Sequence, residues 1–393
     1  MTNARRGFLC LSLIFSAVLV AQASSQPTSV SVDCDNGQSL NQTLAKLNKL
    51  TPTTVLVSGT CTEYVDVFGF ESLILKGQPG ATLAQPAGGA GTLFTALLYI
   101  ESSRSVTVSG FRVQADTAIS AIGIGHGSSD IRLRYLNITG GGEGIIVFEH
   151  SQVSIAYVNG QAPGYTTLGI YDLSDVHLEH SQFTAAPGAV WNVGIALGAS
   201  HVTMYDTMIS NMQVGIGAGQ GSVIDLVVFN TYYGNGGPTD VKILNPAGTS
   251  FNGVSVDGGG SLNLSSARLL IDKPGQTWGG TTGGVLLSDG ATMNGANGNL
   301  VILGSNSQGV MALNNSHATL NGVTVSGSLH GGLVATNLSS IDMASGTTLS
   351  TVSGNSVDLF CDSTSWVTGT ANISGKPTAQ CTNQLTSETV PLP

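Results

Sequence analysis

The sequence predicts an all-β solenoid: short parallel strands stacked coil upon coil, with one helix capping the N-terminal end. Three observations carry this. The first is composition: 53 of 393 residues are glycine and only 9% are charged, yet 41% are hydrophobic, where an ordinary globular domain has about a quarter charged residues. The second is a glycine-plus-apolar pair that returns at a near-constant interval. The third is the lack of helical spacing after the first fifty residues. A strand-rich unit repeated at this interval cannot bury its apolar face alone, so the units stack.

The N-terminal elements come first. Residues 1–23 read as a signal peptide, with Arg5 and Arg6 ahead of the apolar run Phe8 to Val20 and a small-residue cleavage pattern at Ala21-Gln22-Ala23. The order Arg5-Arg6-Gly7-Phe8-Leu9 also resembles a twin-arginine signal, with Ala4 where Ser or Thr is usual. Removing this segment leaves 11 of the 13 basic residues against 23 acidic ones, a net charge of −12. Such a surface excludes nucleic acid and anionic membranes as partners and disfavours polyanions. No membrane insertion is expected after signal removal, and the location is secreted or periplasmic. Residues 24–53 read as a cap in which Leu40, Leu44, Leu47 and Leu50 share one face of a helix, with Ser39 as N-cap and Pro52 as stop.

Strands and turns fill 54–375, and 376–393 reads as a tail. The glycine pairs are Gly123-Ile124, Gly144-Ile145, Gly169-Ile170, Gly194-Ile195 and Gly215-Ile216, then Gly284-Val285, Gly309-Val310 and Gly332-Leu333. A second strand follows each early pair: Ile131-x-Leu133, Val153-x-Ile155, Val176-x-Leu178 and Val202-x-Met204. Asparagines such as Asn211 and Asn306 precede several pairs and suit left-handed turns and hydrogen-bonded ladders. Region 230–283 breaks the interval, so Thr231 to Pro238 and Asp272 to Trp278 are expected to leave the cylinder as loops. Of three possible pairings of the mature cysteines, chain order favours Cys34–Cys61 and Cys361–Cys381, formed in an oxidising compartment.

Roughly residues 54 to 375 resemble the right-handed parallel β-helix superfamily that includes pectate lyases and polygalacturonases. The helix near 39–50, the run Val55 to Glu63 and Leu73 to Gly77 are similar to the N-terminal entry of its secreted members. The resemblance implies about a dozen coils in one domain. It does not imply one activity, because this fold carries lyases, hydrolases, adhesins and fibres.

Among the chemistry-bearing residues, Gly125-His126-Gly127 matches one polygalacturonase motif, but the chain has no Asn-Thr-Asp, no Asp-Asp and no Arg-Ile-Lys. Glycoside hydrolysis needs two carboxyls across the scissile bond. The triplet therefore reads as one rung, aligned through its glycine pair with Val147, Asp172 and Leu197 on later coils. A calcium site of the pectate lyase kind needs several gathered carboxylates. Glu143 and Glu149 are isolated in sequence and read as turn acids, so no cofactor or metal is expected; stacking leaves calcium open.

Aligned second strands give the richest polar file. Arg132, Ser154, His177 and Thr203 share one outward position; Arg134, Ala156, Glu179 and Tyr205 share the next; Tyr135, Tyr157, His180 and Asp206 follow. The ligand-binding candidates are Arg132, Arg134, Tyr135, Tyr157, Tyr205 and Asp206, since rings stack on sugars and Arg reads hydroxyls or carboxylates. His177, Glu179 and His180 are the proton-transfer candidates. A sheet face without walls is not a pocket, so three classes stay open: a secreted non-catalytic protein binding polysaccharide or cell-surface glycan along the cylinder, a polysaccharide lyase or glycoside hydrolase with an unfamiliar site, and a structural matrix or fibre component. Six Asn-x-Ser/Thr sequons occur, at Asn41, Asn137, Asn263, Asn314, Asn337 and Asn372.

Overall fold

The computed structural model describes residues 27–385 except 89–95, 163, 187–191, 228–239, 245–251, 266, 275–281, 296–298, 347, 376 and 382–383. The signal peptide expected at residues 1–23 lies outside them. The chain is a right-handed parallel β-helix. Its first face is a 13-stranded parallel sheet running from Val65–Phe68 to Ala379–Cys381. The other two faces belong to one 23-stranded sheet. They merge because four long strands, Ile131–Gly140, Gln152–Ala162, Asp175–Ala185 and His201–Ser210, run through the corner and pair with one another on both sides of it.

The alternation read from sequence sets which side chains fill the cylinder. Ile131, Leu133, Ile155, Val176, Leu178, Val202 and Met204 are fully buried, and each such side chain contributes roughly 1.5–3 kcal/mol. The register of the second strands is as expected: Ile131 pairs with Val153, Val153 with Val176 and Val176 with Val202.

The glycine pairs need a correction. Ile122, not Ile124, pairs with Ile145. Leu168, not Ile170, continues that ladder, pairing with Ile145 on one side and Ile195 on the other. Gly123-Ile124 and Gly169-Ile170 therefore sit two residues beyond the true marker. The sequence interval also passes over Gly253-Val254, whose valine pairs with Ile216 and Val285. Two different physical demands place glycine on this face. At Gly194, Gly215, Gly253, Gly284 and Gly309 a Cβ would lie 2.5–2.7 Å from a carbonyl oxygen of the next coil. At Gly123 and Gly169 it would meet the rings of Tyr99 and Tyr171 instead.

The described strands of region 230–283 remain part of the cylinder. The strands Asp240–Leu244, Asn252–Val256, Ser261–Ser265 and Arg268–Asp272 all stay on their ladders. The expected loop at Thr231 to Pro238, and residues 275–278 of the second one, lie outside the described residues. Beyond 375, Ala379–Cys381 and Gln384–Leu385 still pair with the coil before them.

A helix caps the N-terminal end, and a disulfide pins each end. The helix is Leu40–Lys46, with the Ser39 hydroxyl accepting from Gln42 N at 3.1 Å. Glu63 adds a cap, accepting from Leu40 N and the Ser39 hydroxyl at 2.6 Å each. Leu40 and Leu44 are buried, but Leu50 is exposed, because the chain becomes extended at Leu47 before the helix can reach it. Disulfides join Cys34 to Cys61 and Cys361 to Cys381.

Two polar ladders run along the axis. Buried serines at the start of the second face pass hydrogen bonds between coils: Ser151 N to Ser174 Oγ at 3.1 Å, Ser174 N to Ser200 Oγ at 3.2 Å and Ser200 N to Ser222 Oγ at 3.3 Å. An amide ladder follows the first face, but through Asn314 and Asn337. Asn337 donates to Asn314 at 3.1 Å and Asn314 to Asp289 at 2.9 Å, both from left-handed positions. Asn211 is left-handed as expected, while Asn306 is not. The side-chain nitrogens of four sequon asparagines, Asn263, Asn314, Asn337 and Asn372, donate to protein groups.

Candidate functional site

The four long strands place the polar file on adjacent coils about 4.8 Å apart. Arg132 lies beside Ser154, Ser154 beside His177 and His177 beside Thr203; Arg134, Ala156, Glu179 and Tyr205 form the next column. At the corner that follows, Tyr135, Tyr157, His180 and Asp206 all hold a left-handed backbone, with φ between 41° and 57°. That conformation lets each strand turn from the second face to the third while its side chain projects outward.

The corner side chains stack along the axis. Tyr135 and Tyr157 have ring centroids 4.9 Å apart and an interplanar angle of 7°; Tyr157 and His180 are also 4.9 Å apart, at 12°. His180 Nδ1 bonds the Asp206 carboxylate, which ends the stack. Tyr135 is 62% exposed and Tyr157 45%. Their faces cover one another, so most of the stack presents ring edges and hydroxyls to solvent.

The remaining candidates divide. Arg134 is exposed and makes no ion pair among the described residues. Arg132 is held by Asp130 at 2.7 Å. His177 Nε2 lies 3.8 Å from Glu179. Tyr205 is a correction: it is only 6% exposed, beneath the rings of His177 at 5.5 Å and His180 at 5.4 Å, so it supports the file and is no contact surface. A shallow depression of about 320 Å³ flanks the stack, lined by Tyr157, His180, Gln182, Asp206, Asp240 and Lys242 among others.

The sequence reading missed two histidine clusters. His201 bridges three coils, with Nδ1 2.8 Å from Asp175 and Nε2 3.0 Å from Asp225. His126 faces Glu149 at 2.5 Å and Glu101 at 3.5 Å. The expected rung partners Val147 and Leu197 came from the two-residue slip; true register sets Ile124 against Val147 and so brings His126 beside Glu149. With both ring nitrogens facing carboxylates, His126 and His201 act as clasps between coils. The triplet is a rung, as expected, but an ionic one.

Titration is displaced on the first face. Burial, then Glu101, Glu149 and Asp66, push the Tyr99 hydroxyl up to about 12. Burial also raises Glu143, against the hydrogen bond from Tyr171 at 3.1 Å, and raises Tyr171 in turn. Burial raises Asp66, opposed by Lys49. Among the described residues one trio has metal-ligand spacing, Cys34, Cys61 and Glu63. Its sulfurs are joined to each other and its carboxylate caps the helix, so it does not fit a metal.

No protein-family model matches the chain, and no curated protein does. Solved structures do. The chain is similar to a pectin methylesterase from carrot, at 12% identity and a TM-score of 0.30, over 71% of this chain and 82% of that one. A pectin methylesterase variant bound to a hexasaccharide matches at 13% identity and a TM-score of 0.30, over 63% and 79%. The receptor-binding domain of the siphovirus 9NA tailspike matches at 9% identity and a TM-score of 0.28, over 92% and 77%. No residue role passes from these to this chain; the fold assignment rests on its own strand register.

Proposed function

We propose that this is a secreted or periplasmic, non-catalytic β-helix protein that binds polysaccharide or cell-surface glycan along the corner of the four long strands. The supporting observation is the aromatic stack of Tyr135, Tyr157 and His180, held outward on a rigid sheet at coil spacing. Ring edges and hydroxyls on one line suit a chain ligand, with Arg134, Glu179 and Asp206 beside them for its hydroxyls. Three coil steps span roughly 15 Å, the length of a few sugar units. The disulfides and the predicted signal support export, and no helix among the described residues is long and apolar enough to cross a membrane.

A lyase or hydrolase is the second reading. It is favoured by the His180–Asp206 pair beside a depression, with His177 and Glu179 nearby. A panel of polysaccharides, with and without calcium, scored for both binding and cleavage, separates the two. Binding without cleavage, lost in Tyr157→Ala and Arg134→Ala, is the expected result. Product release abolished by His180→Ala would replace the binding reading by the enzymatic one, and unchanged binding in both variants would remove the site from this corner.

A further inference from the structure

We propose, on the reading that the corner binds glycan, that its N-terminal end takes a sugar bearing an anionic substituent, a carboxylate or a sulfate, stacked on the open face of Tyr135 among Lys76, Arg112 and Arg134.

Tyr135 is where the stack stops. Tyr157 covers one of its faces at 4.9 Å. On the other side the corner position of the preceding coil is Gly110, whose N–H donates to Arg134 O at 3.2 Å and whose φ is 78°. One coil further, Gly77 touches Gly110: a Cβ on Gly77 would lie 2.6 Å from Gly110 O. No side chain can project from either corner position. The outer face of Tyr135 therefore looks onto bare backbone for two coil steps, about 10 Å. An aromatic face with an empty shelf beside it is what a sugar ring needs, and inside the stack no other face is open.

The charges around that shelf have one sign. Lys76 pairs with Ser109 and Ser109 with Arg134, so the two cations point outward from one column, one coil to either side of Ser109. Arg112 stands two residues past Gly110 on the third face, beside Thr82 and Asn137. All three are exposed and none has an ion-pair partner among the described residues. Carboxylates close in sequence are already engaged: Asp116 accepts from Gln85 at 2.7 Å, and Asp130 holds Arg132 at 2.7 Å and Ser105 at 2.9 Å. In a mature chain with only 11 basic residues and a net charge of −12, three unpaired cations around one shelf are a local reversal of sign. Arg presents a planar fork to carboxylate or sulfate, and Lys a point charge. The acidic remainder repels a dense polyanion, so the ligand is a glycan with sparse anionic groups.

The test is calorimetric titration with three oligosaccharides of equal length: one carrying a single hexuronate residue, its carboxyl-reduced neutral counterpart and that neutral chain bearing a single sulfate. Wild type is expected to bind one anionic form at least tenfold tighter than the neutral one, and which form wins distinguishes carboxylate from sulfate. The Lys76→Gln, Arg112→Gln double variant should erase that preference while retaining neutral binding and the wild-type melting curve. Tyr135→Gly, which suits the left-handed corner, should lose both. Equal binding of neutral and anionic forms, or a charge variant that keeps the preference, would overturn the inference and leave the glycan reading standing. Failure of all three sugars to bind, or binding untouched in Tyr135→Gly, would overturn both.

Discussion

Left-handed backbone on four successive coils costs Tyr135, Tyr157, His180 and Asp206 roughly 1 kcal/mol each or more, and Gly110 does the same turn at φ 78° without it. Ring stacking returns about 0.5–1.5 kcal/mol per pair. Tyr157→Gly should therefore change stability by no more than about 2 kcal/mol in denaturant unfolding, and weaken glycan binding at least tenfold. A collapse of stability with binding retained would make the stack purely structural. The serine ladder has the opposite signature. Ser174 Oγ accepts from a buried N–H of the previous coil, and Ser174→Ala leaves that donor unpaired, costing about 1–3 kcal/mol. Its unfolding midpoint in urea should drop while binding stays as wild type, since the hydroxyl is buried away from the corner.

Elements at the C-terminal end are tied together by the Asp358 carboxylate among others. Burial acts to raise Asp358, but hydrogen bonds from Thr378 and Asn355 outweigh it and hold the group below the usual carboxylate range. Asp358 accepts from Thr378 N at 2.9 Å, from its hydroxyl at 3.0 Å and from Asn355 Nδ2 at 2.9 Å, which pins the coil holding Cys381. A carboxyl depressed in the folded state stabilises above its unfolded pKa, about 3.9, and loses that contribution as pH falls through the lower folded value. Hydrogen exchange at pH 5 and pH 3 should show the strands Leu359–Cys361 and Ala379–Cys381 losing protection ahead of the middle coils. Uniform loss along the cylinder would assign acid sensitivity elsewhere.

For the whole molecule, stability is a sum over neighbouring coils. Reducing Cys34–Cys61 and Cys361–Cys381 should loosen both ends and leave the strands 131–210 protected; a cooperative collapse would show that the middle depends on the caps. Metal is the other molecular-scale expectation. Chelator treatment should leave the melting temperature and any glycan binding unchanged, and a fall of many degrees would reveal a site assembled by coil stacking.

Periodicity and composition determined the all-β solenoid, the capping helix and the register of Ile131, Val153, Val176 and Val202, and chain order pointed to the disulfide pairs. These are legible because strand alternation has a period of two and the coil repeats, so inward residues report themselves. The columns beside them followed from the same register. Only the tertiary structure decided what each column does. It buried Tyr205 under two imidazoles, left the face of Tyr135 open above two glycines, and turned His126 and His201 into clasps between coils. Those outcomes depend on contacts between residues one coil apart, at offsets that glycine cannot reveal: a glycine required by a neighbouring carbonyl and a glycine required by an overlying ring are the same letter. A slip of two residues keeps every apolar side chain inside and moves every partner outside, so the core was readable from sequence and the clasps were not.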